Sequence, residues 1–228
     1  MDRRRHLGRR PMPMTFQAHN IKIPNIYEHA SGTVLAIAGK DFVVIGCDTG
    51  VCSDNAILSR TQTKLCPISD QMVLATAGCW SDAVALTNQL KMEQQFYERE
   101  HFKSMSIESM AQMLSVVQYQ RRHLPYDVCP ILGGIDQDGQ GAVYIYDCIG
   151  LLQREGYCAE GSAGAMLQPL LDSQIGCHET VTKERALSIA KDALIMAARS
   201  DQYTGDLVII NIITRDGIEL HQMELSQN

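Results

Sequence analysis

The chain has 228 residues, of which 45% are hydrophobic and 20% are charged. This composition is ordinary for a globular protein, and a chain of this length buries enough surface to fold without a metal or a disulfide. The formal net charge of −6 and the pI of about 5.6 exclude a general nucleic-acid binder, whose binding face is basic.

Residues 1–31 are predicted to be a leader that precedes the folded domain. The segment is polar, and its prolines break any long amphipathic helix. It has few acidic residues and five arginines, a composition typical of mitochondrial transit peptides. An organelle-targeting signal and a flexible or removable leader therefore both stay open. The residues concerned are Arg3, Arg4, Arg5, Arg9, Arg10, Pro11, Pro13 and Pro24.

The eight cysteines of the chain include no Cys-x-x-Cys pair, which is the main sequence signal of zinc and thiol-redox sites. We therefore predict buried free thiols in a reducing compartment, and neither a metal nor a cofactor. No two histidines stand four residues apart, as metal-binding pairs on a helix do. Because no apolar run approaches the ~20 residues of a membrane span, no membrane contact is predicted.

The pattern changes at Gly32 to short apolar strands. Strands at 33–38 and 42–48 are predicted to form a hairpin around Gly39-Lys40-Asp41. Further strands are predicted at 57–59, 64–68 and 72–77. Two helices follow, capped by Ser81 or Asp82 and by Ser106, and they end near His101 and before Pro125. Their predicted inward-facing side chains are Val84, Leu86, Leu90, Phe96 and Tyr97, and then Met110, Met113, Leu114, Val117 and Tyr119.

The second half of the chain repeats this order of strands and paired helices. Strands are predicted at 129–136 and 142–147, joined by Asp138-Gly139, and at 151–158. Helices at 162–171 and 183–199 precede a closing hairpin, 207–214 with 218–224. Short turns between strands make the sheets antiparallel, and paired helices disfavour a doubly wound parallel sheet. The sequence thus predicts an α+β fold over residues 32–228, a four-layer αββα sandwich of two antiparallel sheets flanked by helix pairs.

Several short motifs, taken in order, resemble the proteasome beta-type family of N-terminal-nucleophile hydrolases. They are Gly32-Thr33 at the start of a strand, Asp48 at the end of the next, Lys64, Gly161-Ser162-Ala163-Gly164 at a helix start, and Asp201-Gln202-Tyr203-Thr204-Gly205 after a long helix. Their order and spacing carry the resemblance, which spans residues 32–225. The segments 35–39, 133–136, 141–144 and 164–172 resemble one non-catalytic subtype of the family.

The resemblance implies a set of site residues. In catalytic members, a threonine freed by removal of a propeptide attacks the peptide carbonyl, and its own α-amine takes the proton. A lysine favours deprotonation of the hydroxyl, and a carboxylate orients the lysine. By motif position, Lys64 matches the lysine and Asp48 the carboxylate. Gly50 stands where catalytic members usually have arginine. The surrounding hydroxyl and carboxylate network is matched by Ser162, Asp201 and Thr204.

The position of the nucleophile is occupied by Gly32. Catalytic members have threonine three residues before the Leu-Ala that corresponds to Leu35-Ala36, so Thr33 falls one residue late. In a strand, a shift of one residue turns the side chain to the opposite face and moves the α-amine by about 3.3 Å. The resemblance therefore implies an inactive member with a vestigial network. A threonine peptidase that uses Thr33 after cleavage at Gly32 is the alternative.

The resemblance also implies partners. An inactive member would be a structural subunit of the 28-subunit 20S core particle, built with other alpha and beta subunits in the cytoplasm and nucleus for ubiquitin-dependent protein degradation. Its segment 144–151 would border the substrate groove of a neighbouring chymotrypsin-like subunit, with Asp147 and Leu151 lining the groove. Cys148 and Leu151 replace the proline and serine usual there. The competing hypothesis for this segment is an exposed turn without substrate contact. The competing hypothesis for the whole chain is a free-standing amidohydrolase in a small homo-oligomer.

Overall fold

The computed structural model describes residues 32–53, 56–176 and 181–225; the predicted leader, Cys177 and the last three residues lie outside these ranges. The strands are β1 Thr33–Ala38, β2 Val43–Asp48, β3 Val51–Ser53, β4 Ala56–Ser59, β5 Leu65–Ser69, β6 Met72–Gly78, β7 Val128–Ile135, β8 Gly141–Tyr146, β9 Leu152–Glu155, β10 Tyr157–Gly161, β11 Leu207–Thr214 and β12 Gly217–Glu224. The helices are α1 Trp80–His101, α2 Ile107–Gln120, α3 Gly164–Ile175 and α4 Lys183–Ser200.

Ten of these strands form two five-stranded sheets. The first sheet has the order β10-β1-β2-β11-β12 and the second has the order β5-β6-β7-β8-β9, while β3 and β4 form a separate pair. Every pairing is antiparallel, including the three predicted hairpins. Helices α3 and α4 pack on the first sheet and α1 and α2 on the second. The predicted four-layer αββα sandwich is confirmed.

Strand β1 shows how the layers are built from the sequence. Successive side chains of a strand point to opposite faces of the sheet. Val34 and Ala36 therefore face the second sheet, whereas Leu35 and Ile37 pack against α3 and α4. All four are fully buried, which explains why β1 is apolar throughout and does not alternate with polar residues.

The start and the inner face of α1 differ from the prediction. The N-cap is Cys79, whose side chain accepts no capping hydrogen bond from the helix backbone, and neither Ser81 nor Asp82 caps the helix. Asp82 instead accepts a hydrogen bond from the backbone N–H of Asp127, at 3.0 Å. Val84 and Phe96 were predicted to face inward and are exposed. The cap of α2 by Ser106 is confirmed, but Tyr119 near its end is exposed.

The predicted strand 151–158 is wrong. Gly156 divides it into β9, which pairs with β8, and β10, which pairs with β1 in the other sheet. The chain thus crosses from one sheet to the other at a residue with no side chain. Helix α3 begins at Gly164 and extends to Ile175, beyond the predicted end. Strand β3 was not predicted, since three residues carry too little periodicity.

The prediction of buried thiols holds for only some cysteines. Cys47, Cys79 and Cys158 are buried, whereas Cys52, Cys66 and Cys129 are partly accessible and Cys148 is exposed. Burial raises the pKa of Cys47 to about 11, so this thiol is inert at neutral pH. None of the helices in the described ranges is long and apolar enough to cross a membrane.

Candidate functional site

Strand and helix ends from distant parts of the sequence meet at one end of the first sheet. The hairpin register pairs Val34 with Cys47, which sets the start of β1 beside Asp48 at the end of β2. Thr33 pairs with Gly161 at the end of β10, and Asp48 pairs with Val208 at the start of β11. The segments that follow β10 and precede β11 are thereby brought to the same place. They contain the predicted residues Ser162, Asp201 and Thr204.

The centre of this site is a buried ion pair between Asp48 and Lys64. Lys64 Nζ lies 2.8 Å from Asp48 Oδ1, and their side chains are 4% and 0% exposed. The ammonium group also donates to the backbone carbonyls of Asp48, at 3.2 Å, and Gly50, at 2.6 Å. Three acceptors thus match the three N–H bonds of the lysine, and its position is fully determined.

Backbone N–H groups hold the Asp48 carboxylate in place. Its Oδ1 accepts from the backbone nitrogen of Thr33 at 2.8 Å, and its Oδ2 accepts from those of Gly50 at 2.9 Å and Gly205 at 3.3 Å. Burial raises the pKa of Asp48, while Lys64 and the N–H donors act in the opposite direction. The carboxylate thus accepts hydrogen bonds from four segments of the chain, which contribute Thr33, Gly50, Lys64 and Gly205.

A second group of side chains, here called the hydroxyl cluster, consists of Thr33, Ser162, Asp201 and Thr204. Both Ser162 and Thr204 donate to Asp201 Oδ2, each at 2.5 Å. Thr33 Oγ1 lies 2.6 Å from Thr204 Oγ1 and accepts from the backbone N–H of Ala163 at 3.2 Å. Because Thr204 gives its proton to Asp201, the hydroxyl of Thr33 is the donor to Thr204.

Thr33 connects the ion pair to the hydroxyl cluster. Its backbone N–H bonds to Asp48, whereas its hydroxyl bonds to Thr204 and Ala163. Neither hydrogen bond of the hydroxyl involves Lys64. Thr33 is fully buried, and both the donor and one acceptor site of its hydroxyl are already in use.

Gly32, the residue just before β1, is the one that faces Lys64. A Cβ atom built on Gly32 would lie 2.1 Å from Lys64 Cε, 2.5 Å from Lys64 Nζ and 3.0 Å from Asp48 Oδ1. A side chain at this position would thus point directly at the ion pair. Since glycine has none, the space is filled by the end of Lys64.

Sequence reasoning missed the backbone groups of the site. The carbonyl of Gly50 and the N–H groups of Gly50, Ala163 and Gly205 complete the coordination of Lys64, Asp48 and Thr33. Backbone groups have no residue-type signature, so no pattern could have identified them. Gly50 lacks the arginine side chain usual in catalytic members, but its backbone contributes both a donor and an acceptor.

The other predicted site residues, Asp147 and Leu151, lie in a separate place, in the loop that follows β8 in the second sheet. Asp147 is exposed, and its Oδ1 accepts from the backbone N–H of Ile149 at 2.9 Å and of Leu151 at 2.7 Å. Leu151 is 60% exposed. The loop is held against α2 by a hydrogen bond from Ser115 Oγ to the carbonyl of Gly150, at 2.5 Å.

Neither place has the features of a metal site. Among the described residues, no three histidine, cysteine, aspartate or glutamate side chains are grouped as metal ligands. At the main site, Asp48 and Lys64 neutralise each other, and the Asp201 carboxylate accepts from the hydroxyls of Ser162 and Thr204. The arrangement can orient hydroxyl groups and a lysine, but no side chain occupies the position in front of that lysine.

Comparisons with known proteins identify the family of the chain. Residues 28–213 match the protein family described as Proteasome subunit. The chain is 48% identical to proteasome subunit beta type-1 of Drosophila melanogaster over 93% of this chain and 95% of that protein. It is 42% identical to the protein of the same name from Danio rerio, over 85% and 84% of the two chains. The Arabidopsis thaliana protein of that name is 35% identical, over 89% and 96%. The predicted resemblance to one subtype of the beta-type family is confirmed, and these relatives identify that subtype as beta type-1.

Proposed function

The chain belongs to the proteasome subunit family as a beta-type subunit of the core particle, and from this premise we propose that it builds the beta ring without cleaving peptides itself. The observation that carries the proposal is the absence of a side chain at Gly32, the residue that faces Lys64. A nucleophile activated by a lysine must lie within hydrogen-bond reach of it. At this position the chain has only backbone atoms and no side-chain nucleophile.

The retained network then has a structural function. The Asp48–Lys64 pair and the hydroxyl cluster join β1, β2, the end of β10 and the segment before β11. Buried polar groups that are fully hydrogen-bonded rigidify a structure and specify one arrangement. In this proposal, the network that activates the threonine of catalytic members stabilises the fold of a subunit that has no nucleophile.

The alternative, a peptidase that uses Thr33, makes a different prediction for the mature N-terminus. Such an enzyme needs a free α-amine on Thr33, whereas we expect intact-mass analysis of the assembled particle to find at least one residue before Thr33. We also expect Thr33→Ala to leave every peptidase activity of the particle unchanged within a factor of two. A mature chain that begins at Thr33, together with loss of one cleavage activity in this variant, would establish the alternative.

The partners in this proposal are the other alpha and beta subunits of a 28-subunit core particle, in the cytoplasm and nucleus, acting in ubiquitin-dependent protein degradation. Unlike subunits must each select one position in a ring, which requires discrimination against wrong neighbours as well as affinity for the right ones. Size-exclusion chromatography of a native extract tests the assembly. Elution of the chain only as a small homo-oligomer would favour a free-standing amidohydrolase instead, and a fluorescent fusion tests the location.

We further propose that Asp147 borders the substrate groove of a neighbouring chymotrypsin-like subunit and favours polar or basic substrate side chains. Oδ1 of Asp147 holds the loop by two backbone N–H groups. Asparagine retains that oxygen and removes the charge, so Asp147→Asn tests electrostatics with the loop intact. Exposed ion pairs contribute about 0.2–1 kcal/mol, so we expect cleavage of substrates with a basic side chain at that subsite to fall about 1.4- to fivefold.

The matched control for Asp147→Asn is Asp138→Asn, the same change at an exposed aspartate in the turn at the other end of β8. It should leave cleavage unchanged. Asp147→Ala removes the loop's acceptor as well and should reduce cleavage of all substrates of that subunit. If Asp147→Asn changes neither chymotrypsin-like cleavage nor inhibitor binding in the assembled particle, the loop is an exposed turn without substrate contact.

A further inference from the structure

Two arginines at the end of α2 are held by tyrosine rings. The guanidinium carbon of Arg121 lies 4.4 Å from the ring centroid of Tyr126, and that of Arg122 lies 4.5 Å from the ring centroid of Tyr119. Arg122 also donates from Nη1 to the backbone carbonyl of Tyr119 at 3.1 Å. The stacking fixes the plane of each guanidinium and leaves N–H groups along its edge for another acceptor.

Neither arginine is paired with a carboxylate. In the described part of the chain, the ion pairs involve Arg60, Lys64, Arg154, Lys183 and His221. Both arginines are exposed, and so is the neighbouring His123. The chain as a whole has a net charge of −6, and Arg121 and Arg122 take part in none of the ion pairs of the described residues.

Three large apolar or aromatic side chains within six residues of Arg122 in the sequence are exposed. Val116, Tyr119 and Leu124 are 42%, 56% and 61% exposed, although each is large and apolar or aromatic. Tyrosine and arginine beside exposed apolar groups are the residues that dominate the binding energy of protein interfaces.

This face is continuous with the loop of Asp147. The Ser115 hydroxyl bonds to the carbonyl of Gly150, and Gln118 Nε2 donates to the carbonyl of Asp147 at 3.2 Å. Ser115 and Tyr119 are one helical turn apart and therefore lie on the same side of α2. The exposed side chains of Ile149 and Leu151 on the loop extend the apolar part of the surface.

We propose that the side chains of Val116, Tyr119, Arg122 and Leu124, together with the loop 147–151, form one docking surface for a neighbouring subunit. The neighbour presents an aspartate or glutamate carboxylate to Arg122, with apolar side chains around it. Arg122 determines this choice, because a planar guanidinium binds a carboxylate through two parallel hydrogen bonds. The Asp147 carboxylate on the same surface already accepts from the backbone N–H groups of Ile149 and Leu151. The inference rests on the proposed function and adds the chemistry of one contact that places this subunit in its ring.

The first experiment is a competition for assembly. Tagged chains are expressed beside the untagged protein, and the tagged fraction in the assembled particle is measured by native gel and quantitative mass spectrometry. Loss of one partner from a desolvated charge pair weakens association strongly, so we expect Arg122→Glu to enter the particle at least about tenfold less than the wild type. Tyr119→Ala, which removes the ring under Arg122, should give a smaller loss.

The matched control is Arg99→Glu, the same change at an exposed arginine in the last turn of α1, which should assemble like the wild type. Thermal unfolding of each chain checks that both variants remain folded. Equal assembly of Arg122→Glu and Arg99→Glu would overturn the docking surface and leave the proposed function intact. Failure of the wild-type chain to enter any large particle would instead contradict the proposed function.

A second experiment identifies the acceptor and does not depend on loss of assembly. Arg122→Lys keeps the charge and introduces an amine that carbodiimide couples to a carboxylate in direct contact. We expect a zero-length cross-link to an aspartate or glutamate of another subunit, and none from Arg99→Lys. If Arg122→Lys yields no cross-link to a protein carboxylate in the intact particle, or binds an anionic oligonucleotide instead, the proposed partner chemistry is wrong.

Discussion

Replacing Lys64 by methionine is expected to lower the free energy of unfolding by about 3–5 kcal/mol, because removing one partner of a buried ion pair leaves the other charge uncompensated. Asp48 is completely buried and Lys64 nearly so. The variant also loses the hydrogen bonds to the carbonyls of Asp48 and Gly50. Chemical denaturation followed by circular dichroism measures the change.

Two variants make this result specific to the ion pair. Lys40→Met makes the same replacement at an exposed lysine and should change stability by less than about 0.5 kcal/mol. Asp48→Asn combined with Lys64→Met removes both charges and keeps an oxygen acceptor for Thr33, so it should be more stable than Lys64→Met alone. A cost below about 1 kcal/mol for Lys64→Met would show that the pair does not stabilise the fold.

Gly161→Ala should destabilise the chain by about 3 kcal/mol, through backbone strain and overpacking together. Gly161 has a φ of +97°, which L side chains rarely adopt. A Cβ atom there would lie 1.9 Å from the carbonyl oxygen of Gly32 and 2.9 Å from Ala77 Cβ. Because Gly161 pairs with Thr33, the start of β1 would have to move away from Asp48.

The control for this glycine lies in the same part of the chain. Gly156, between β9 and β10, has nothing within 4 Å of a built Cβ, and its carbonyl still accepts from the N–H of Ala38 when alanine replaces it. Gly156→Ala should therefore be neutral within about 1 kcal/mol. Denaturation midpoints of the two variants compare them directly, and equal midpoints would contradict the role of close packing at Gly161.

Much of the fold could be predicted from the sequence because it depends on local patterns. The hairpins around Gly39-Lys40-Asp41, Asp138-Gly139 and Asp216-Gly217 combine turn residues with alternating or apolar strands, and all three are present. The errors concern features that depend on tertiary contacts. Phe96 has helical spacing for the core yet is exposed, and the division between β9 and β10 follows from which sheet each strand joins.

The sequence by itself determined the family, the layered fold and the residue types at the site, because Asp48, Lys64, Ser162, Asp201 and Thr204 stand at characteristic distances along the chain. The resemblance also predicts that Gly32, and not Thr33, holds the position of the nucleophile. Only the tertiary structure decided how these residues are connected. Strand pairing within the first sheet and the packing of the second sheet against it bring five segments together, and backbone groups of Gly50, Ala163 and Gly205 complete their hydrogen bonds. Such contacts join residues far apart in sequence, so they depend on the packed fold and leave no trace in local sequence patterns.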